Sequence, residues 1–88
     1  MHSLTVSAFV RGLRMNGYGC EFQYCCEVDI GAYWSVFVTK DGLTESACCP
    51  ISDDQHRDEY RKWVILERCF RMLKVRARAN DSARCEGR

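Results

Sequence analysis

The chain has one proline in 88 residues, two histidines, and no apolar run near the ~20 residues that a membrane-spanning helix requires. With six glycines and a single proline, collagen-like and linker-type chains are excluded. Met1 to Val10 has no early Lys or Arg, and Ser3, Thr5 and Ser7 interrupt its apolar positions. That pattern does not make an export signal, and a cytoplasmic location with no membrane association is expected. Enzyme signatures are missing as well. There is no glycine-rich phosphate loop, no Gly-x-Ser-x-Gly elbow and no His-Glu-x-x-His helix. A Cys–His nucleophilic pair would have to come from His56 and Cys48 or Cys49, and nothing in the sequence supplies the third, orienting group. No catalytic residue and no cofactor are expected.

Cysteine, by contrast, is abundant: Cys20, Cys25, Cys26, Cys48, Cys49, Cys69 and Cys85. Such density staples many small secreted domains. Here the number is odd and no Cys-x-x-Cys knuckle occurs, so neither a disulfide framework nor a zinc ribbon follows. A zinc grouping of Cys48 or Cys49 with His56 and Cys85 can be drawn. The simpler expectation is no metal, with reduced thiols acting as small buried hydrophobes. At 47% apolar and 28% charged, the chain is too apolar to be disordered and long enough for one modest core.

The clearest local pattern lies at the centre. Tyr33–Lys40 and Leu43–Cys49 are strand-like and flank Asp41-Gly42, a type I′ hairpin signal. Lys40 then faces Leu43, and Val38, Val36 and Trp34 face Glu45, Ala47 and Cys49. Pro50 closes the third strand. Upstream, Glu21–Ile30 alternates, placing Phe22, Tyr24, Cys26, Val28 and Ile30 toward a core and Glu21, Gln23, Cys25, Glu27 and Asp29 toward water. The first fifteen residues fit two patterns. Leu4, Val6, Ala8 and Val10 alternate like a strand, and Asn16-Gly17 supports a hairpin after them. Val6, Phe9, Val10 and Leu13 fit a helix. The strand is preferred and the helix kept as the alternative.

Ser52 and Gln55 form a capping box before a stripe of Tyr60, Trp63, Leu66, Phe70, Leu73 and Ala77, predicting one long helix from about Asp53 to Ala79. The expectation is therefore an α+β domain spanning 1–80, with a three- to four-stranded antiparallel meander packed by a long C-terminal helix (alternative α-β-β-β-α). A basic tail, 81–88, follows it.

A net charge of +1 conceals a segregation. Residues 21–59 carry nine acids against Lys40 and Arg57, whereas residues 68–88 carry seven bases against Asp81 and Glu86. Helix-dipole compensation accounts for part of this. What remains supports two functional expectations. The first is a protein-interaction surface built from Tyr33, Phe37, Asp53, Asp54, Asp58 and Glu59, with Asp54 and Asp58 free to be reversed in charge without loss of stability. The second is a nucleic-acid contact through Arg68, Arg71, Lys74, Arg76 and Arg78. An apolar stripe on so long a helix also makes a homodimer an expectation.

In its alternative order, helix–strand–strand–strand–helix, the chain resembles the double-stranded-RNA-binding domain. That family places a Lys-rich cluster at the start of its last helix. Here the segment reads Asp53-Asp54-Gln55-His56-Arg57-Asp58-Glu59, so the resemblance implies topology and not RNA binding. In size, sheet-plus-helix plan and segregated charge, the chain looks like small phage-encoded inhibitors of the anti-CRISPR type. That resemblance implies non-catalytic action on a host protein partner, the blocking of a nucleic-acid-processing complex through an acidic surface.

Overall fold

A computed structural model describes the backbone of residues 5–86 and the side chains of residues 5–80. His2 and Arg88, and the side chains of Arg84 and Cys85, lie outside the described residues, and of the expected basic tail only the backbone to Glu86 is described. The order is α1 (Val6–Met15), β1 (Gly19–Glu27), β2 (Gly31–Lys40), β3 (Leu43–Pro50) and α2 (Gln55–Glu86). The strands form one antiparallel sheet in the order β1-β2-β3, and both helices pack on the same face of it. The architecture is α+β in its α-β-β-β-α form.

The preferred strand reading of the first fifteen residues is corrected to a helix. Thr5 caps α1, its Oγ1 accepting the Ala8 N–H at 3.1 Å. Asn16-Gly17 is a helix stop and not a hairpin turn. Gly17 takes a φ of +86°, the Gly17 N–H bonds Arg14 O, and the Tyr18 N–H reaches back to Leu13 O at 2.9 Å, the double bond of a Schellman ending. The dipeptide is ambiguous because both structures need the same left-handed residue.

The Asp41-Gly42 hairpin forms in the expected register, with φ of +52° and +83° at its two central residues. On β1 the alternation is only half used. Cys20 is buried and Phe22 half-buried, but Tyr24 is 64% exposed, because the ten-residue α1 covers only the first half of the strand. The strand ends at Glu27, and Val28 and Ile30 sit exposed in the turn to β2.

The core lies between the sheet and α2. Val36, Val38, Leu66, Cys69 and Leu73 are fully buried there. Phe9 of α1 meets Trp63 and Phe70 edge-to-face at 5.5 and 6.1 Å, joining the two helices. No glycine or proline occurs between Gln55 and Glu86, and α2 runs unbroken through residue 80 to Glu86, past the expected end near Ala79. Its 32 residues span about 48 Å, against about 33 Å for the longest strand. None of the described helices is apolar enough to cross a membrane.

The helix layer is fixed by carboxylates at the start of α2. Asp54, rather than Ser52, is the N-cap: its Oδ1 accepts the N–H groups of His56 and Arg57, while Ser52 Oγ accepts the Asp54 N–H. Asp58 accepts the Trp34 indole N–H at 3.1 Å and the Ser52 N–H at 2.9 Å. Glu59 Oε2 accepts the Val6 N–H at 2.6 Å, satisfying an amide in the first turn of α1 that has no partner within its own helix. The expectation that Asp54 and Asp58 can be reversed without loss of stability is thereby corrected. Asp58→Ala leaves the Trp34 and Ser52 donors unpaired and should cost about 2 kcal/mol in urea denaturation. Asp53→Ala, at an exposed site with no hydrogen bond, should stay within about 0.5 kcal/mol.

Candidate protein-binding face

Strand alternation sends Trp34, Val36 and Val38 toward α2, and Tyr33, Ser35, Phe37 and Thr39 away from it. No described element covers the second face. The register places Glu21 and Ser46 on either side of Phe37, Gln23 and Cys48 beside Ser35, and Cys25 and Pro50 beside Tyr33. Tyr33 and Phe37 are half-buried among these short side chains. Glu21 and Glu27 supply carboxylates and the strands place no Lys or Arg on this face, while Arg14 of α1 reaches its β1 edge and lines a recess with Glu21, Phe37 and Thr39. An apolar cleft of about 300 Å³, lined by Ile30, Ala32, Tyr33, Cys48, Cys49 and Pro50, opens at its end.

The Tyr33 hydroxyl donates to Glu27 Oε2 at 2.7 Å. This bond to a carboxylate pushes the phenol up to about 12, so Tyr33 is a neutral, oriented donor throughout the physiological range.

The expected interaction residues do not form a single surface. Tyr33 and Phe37 project from the open sheet face, whereas Asp53, Asp54, Asp58 and Glu59 belong to the helix layer on the other side, three of them engaged in internal bonds. The acids that do accompany the aromatics are Glu21 and Glu27. Their signal was present in the strand alternation, but it could be used only once the β1–β2 register was known.

The expected nucleic-acid residues are similarly divided. Arg76 bonds Thr44 O at 2.7 Å and Glu45 at 2.8 Å, Arg71 pairs with Glu67 at 2.8 Å, and the Lys74 ammonium sits over the Phe70 ring at 5.2 Å. Among the described residues only Arg68 and Arg78 of that set are exposed without a partner. Sequence reading missed Arg11, Arg14 and Lys62. These line an open groove of about 680 Å³ between α1 and β1, where the Lys62 ammonium lies 4.5 Å from the Trp34 ring centre.

The doublets split as alternation demands: Cys25 and Cys48 on the open face, Cys26 and Cys49 on the other. No group of three or more His, Cys, Asp or Glu among the described residues is placed to hold a metal. Burial raises the Cys20 and Cys49 thiols, with Asp58 adding to the second, and pushes Cys69 up to about 11. Searches against protein-family models, curated proteins and solved structures return no match.

The thiols give a pH prediction. The native value of Cys69, about 11, lies above its ordinary 9.0, so the native state holds this proton more tightly than the unfolded chain does. That contribution to stability is complete below pH 9 and is lost as the pH rises through 11. The thermal midpoint should fall over this window and fall less in Cys69→Ala. At pH 8, iodoacetamide should modify exposed Cys26 and Cys48 well before Cys69.

Proposed function

We propose that the protein is a non-catalytic binding module that engages a protein partner through the open sheet face, as an inhibitor or regulator acting in the cytoplasm. The observation that carries this reading is the uncovered face itself. Half-buried Phe37 and oriented Tyr33 stand beside Glu21 and Glu27, on strands that project no Lys or Arg from this side. Rigid aromatics in a polar surround are the residue types that concentrate binding energy at interfaces. The carboxylates select a partner surface rich in Lys and Arg, and such surfaces are typical of proteins that handle nucleic acids. This is the mode of action implied by the resemblance to anti-CRISPR-type inhibitors, with the acidic surface moved from the start of α2 to the sheet.

The alternative, direct binding of nucleic acid by α2, is supported by the exposed guanidinium groups of Arg68 and Arg78. It is weakened because Arg71 and Arg76 already have carboxylate partners.

The test is capture with immobilised protein from a cell lysate divided in two, one half of it treated with nuclease. Wild type and the Arg68→Ala/Arg78→Ala variant should retain the same stoichiometric protein band, and Phe37→Asp with Glu21→Lys should lose it. Unchanged capture by the sheet-face variant removes this face from the reading. Recovery of nucleic acid alone, abolished by the arginine variant, transfers the function to α2.

A further inference from the structure

The two edges of the sheet are treated differently. Lys40 and Leu43 close the β2–β3 hairpin, so the backbone groups of Thr44, Ser46, Cys48 and Pro50 point outward from β3. Two of those carbonyls are taken by α2: Arg76 bonds Thr44 O at 2.7 Å and Arg61 bonds Pro50 O at 3.4 Å. Pro50 also has no N–H to offer. On β1 the same alternation turns the backbone groups of Cys20, Phe22, Tyr24 and Cys26 outward. Only Cys20 O is covered, by the Arg14 guanidinium at 2.7 Å. From Phe22 to Cys26 the edge carries no proline, lysine or bulge, the devices that ordinarily blunt such an edge.

We infer that the β1 edge pairs with the β1 edge of a second copy of this chain, in antiparallel register centred on Gln23, to give a six-stranded sheet across a two-fold axis. Charge selects this register. Of the two neighbouring registers that pair outward-facing residues, centring on Tyr24 would set Glu21 against Glu27 of the second copy twice, and centring on Phe22 would carry Glu27 past the start of the second copy's β1. Centring on Gln23 sets Glu21 against Cys25 and brings Glu27 opposite Gly19. There it meets Arg14, which lines the recess shared by Gly19, Cys20 and Glu21 and has no carboxylate partner among the described residues. Phe22 and Tyr24 then exchange both backbone bonds with Tyr24 and Phe22 of the second copy. On the helix side, each exposed Tyr24 ring comes to the mouth of the groove formed by Val10, Met15 and Phe22. The pairing leaves Tyr33, Phe37 and Glu21 uncovered but draws on Glu27, the carboxylate that orients Tyr33.

Sedimentation equilibrium under reducing conditions tests the inference. Wild type should be a dimer at micromolar concentration. Tyr24→Pro, which removes one outward N–H, should sediment as a monomer with its unfolding transition still cooperative. Because that change could also disturb β1, charge exchange is the second arm. Arg14→Glu and Glu27→Arg should each weaken the dimer by about tenfold, and the double variant should recover it. A chain that remains monomeric at hundreds of micromolar overturns the inference. So does a dimer that ignores both single charge reversals, or a double variant no better than either one.

Discussion

Two neighbouring carboxylates near the start of α2 hold three parts of the molecule together. Asp58 ties the helix to the Trp34 indole in the middle strand and to the Ser52 amide in the connection from β3. Glu59, the next residue, turns toward α1 and takes its first amide. The requirement behind both is that amides at helix starts and half-buried indoles must find acceptors once water is removed. A carboxylate at a helix N-terminus is well suited, since the dipole favours its charge. With α2 fixed there, Leu66, Cys69 and Leu73 fall over Val36 and Val38, and Trp63 and Phe70 meet Phe9.

The same geometry explains what was legible in the sequence. The Asp41-Gly42 hairpin could be read residue by residue, because two adjacent positive φ angles are a local demand met by few dipeptides. The long helix was legible from its stripe and from its freedom from glycine and proline. The identity of α1 was not settled, because Asn16-Gly17 satisfies a hairpin and a Schellman ending equally well. The fate of Tyr24 was hidden too, since alternation gives a face but not whether a helix reaches far enough to cover it.

The candidate face was half legible. Tyr33 and Phe37 were identified, but the acids assigned to them came from the wrong layer. In one dimension, Asp58 and Glu59 in a first helical turn look like any solvated acids. Their partners, Trp34 and Val6, are 24 and 53 residues away. Arg76 presents the same difficulty, lying 32 residues from the Thr44 carbonyl that it covers. Long-range polar contacts leave no periodic trace, whereas the apolar stripe and the strand alternation do.

Charge segregation along the chain therefore becomes a division of labour in space. Much of the acidity around the start of α2 is spent inside the molecule, on caps and braces, and several of the later cations clip β3 or pair along the helix. What is left uncommitted differs by face. The open sheet side retains Glu21 and Glu27 beside its aromatics, while the helix side retains Arg11, Arg68 and Arg78. A net charge near zero thus coexists with two surfaces of opposite character. Whatever approaches the sheet face meets carboxylates, a fixed phenol and a phenyl ring on strands held from behind by a dry core. That rigidity bears on binding, because side chains already ordered by the fold lose little entropy when a partner covers them.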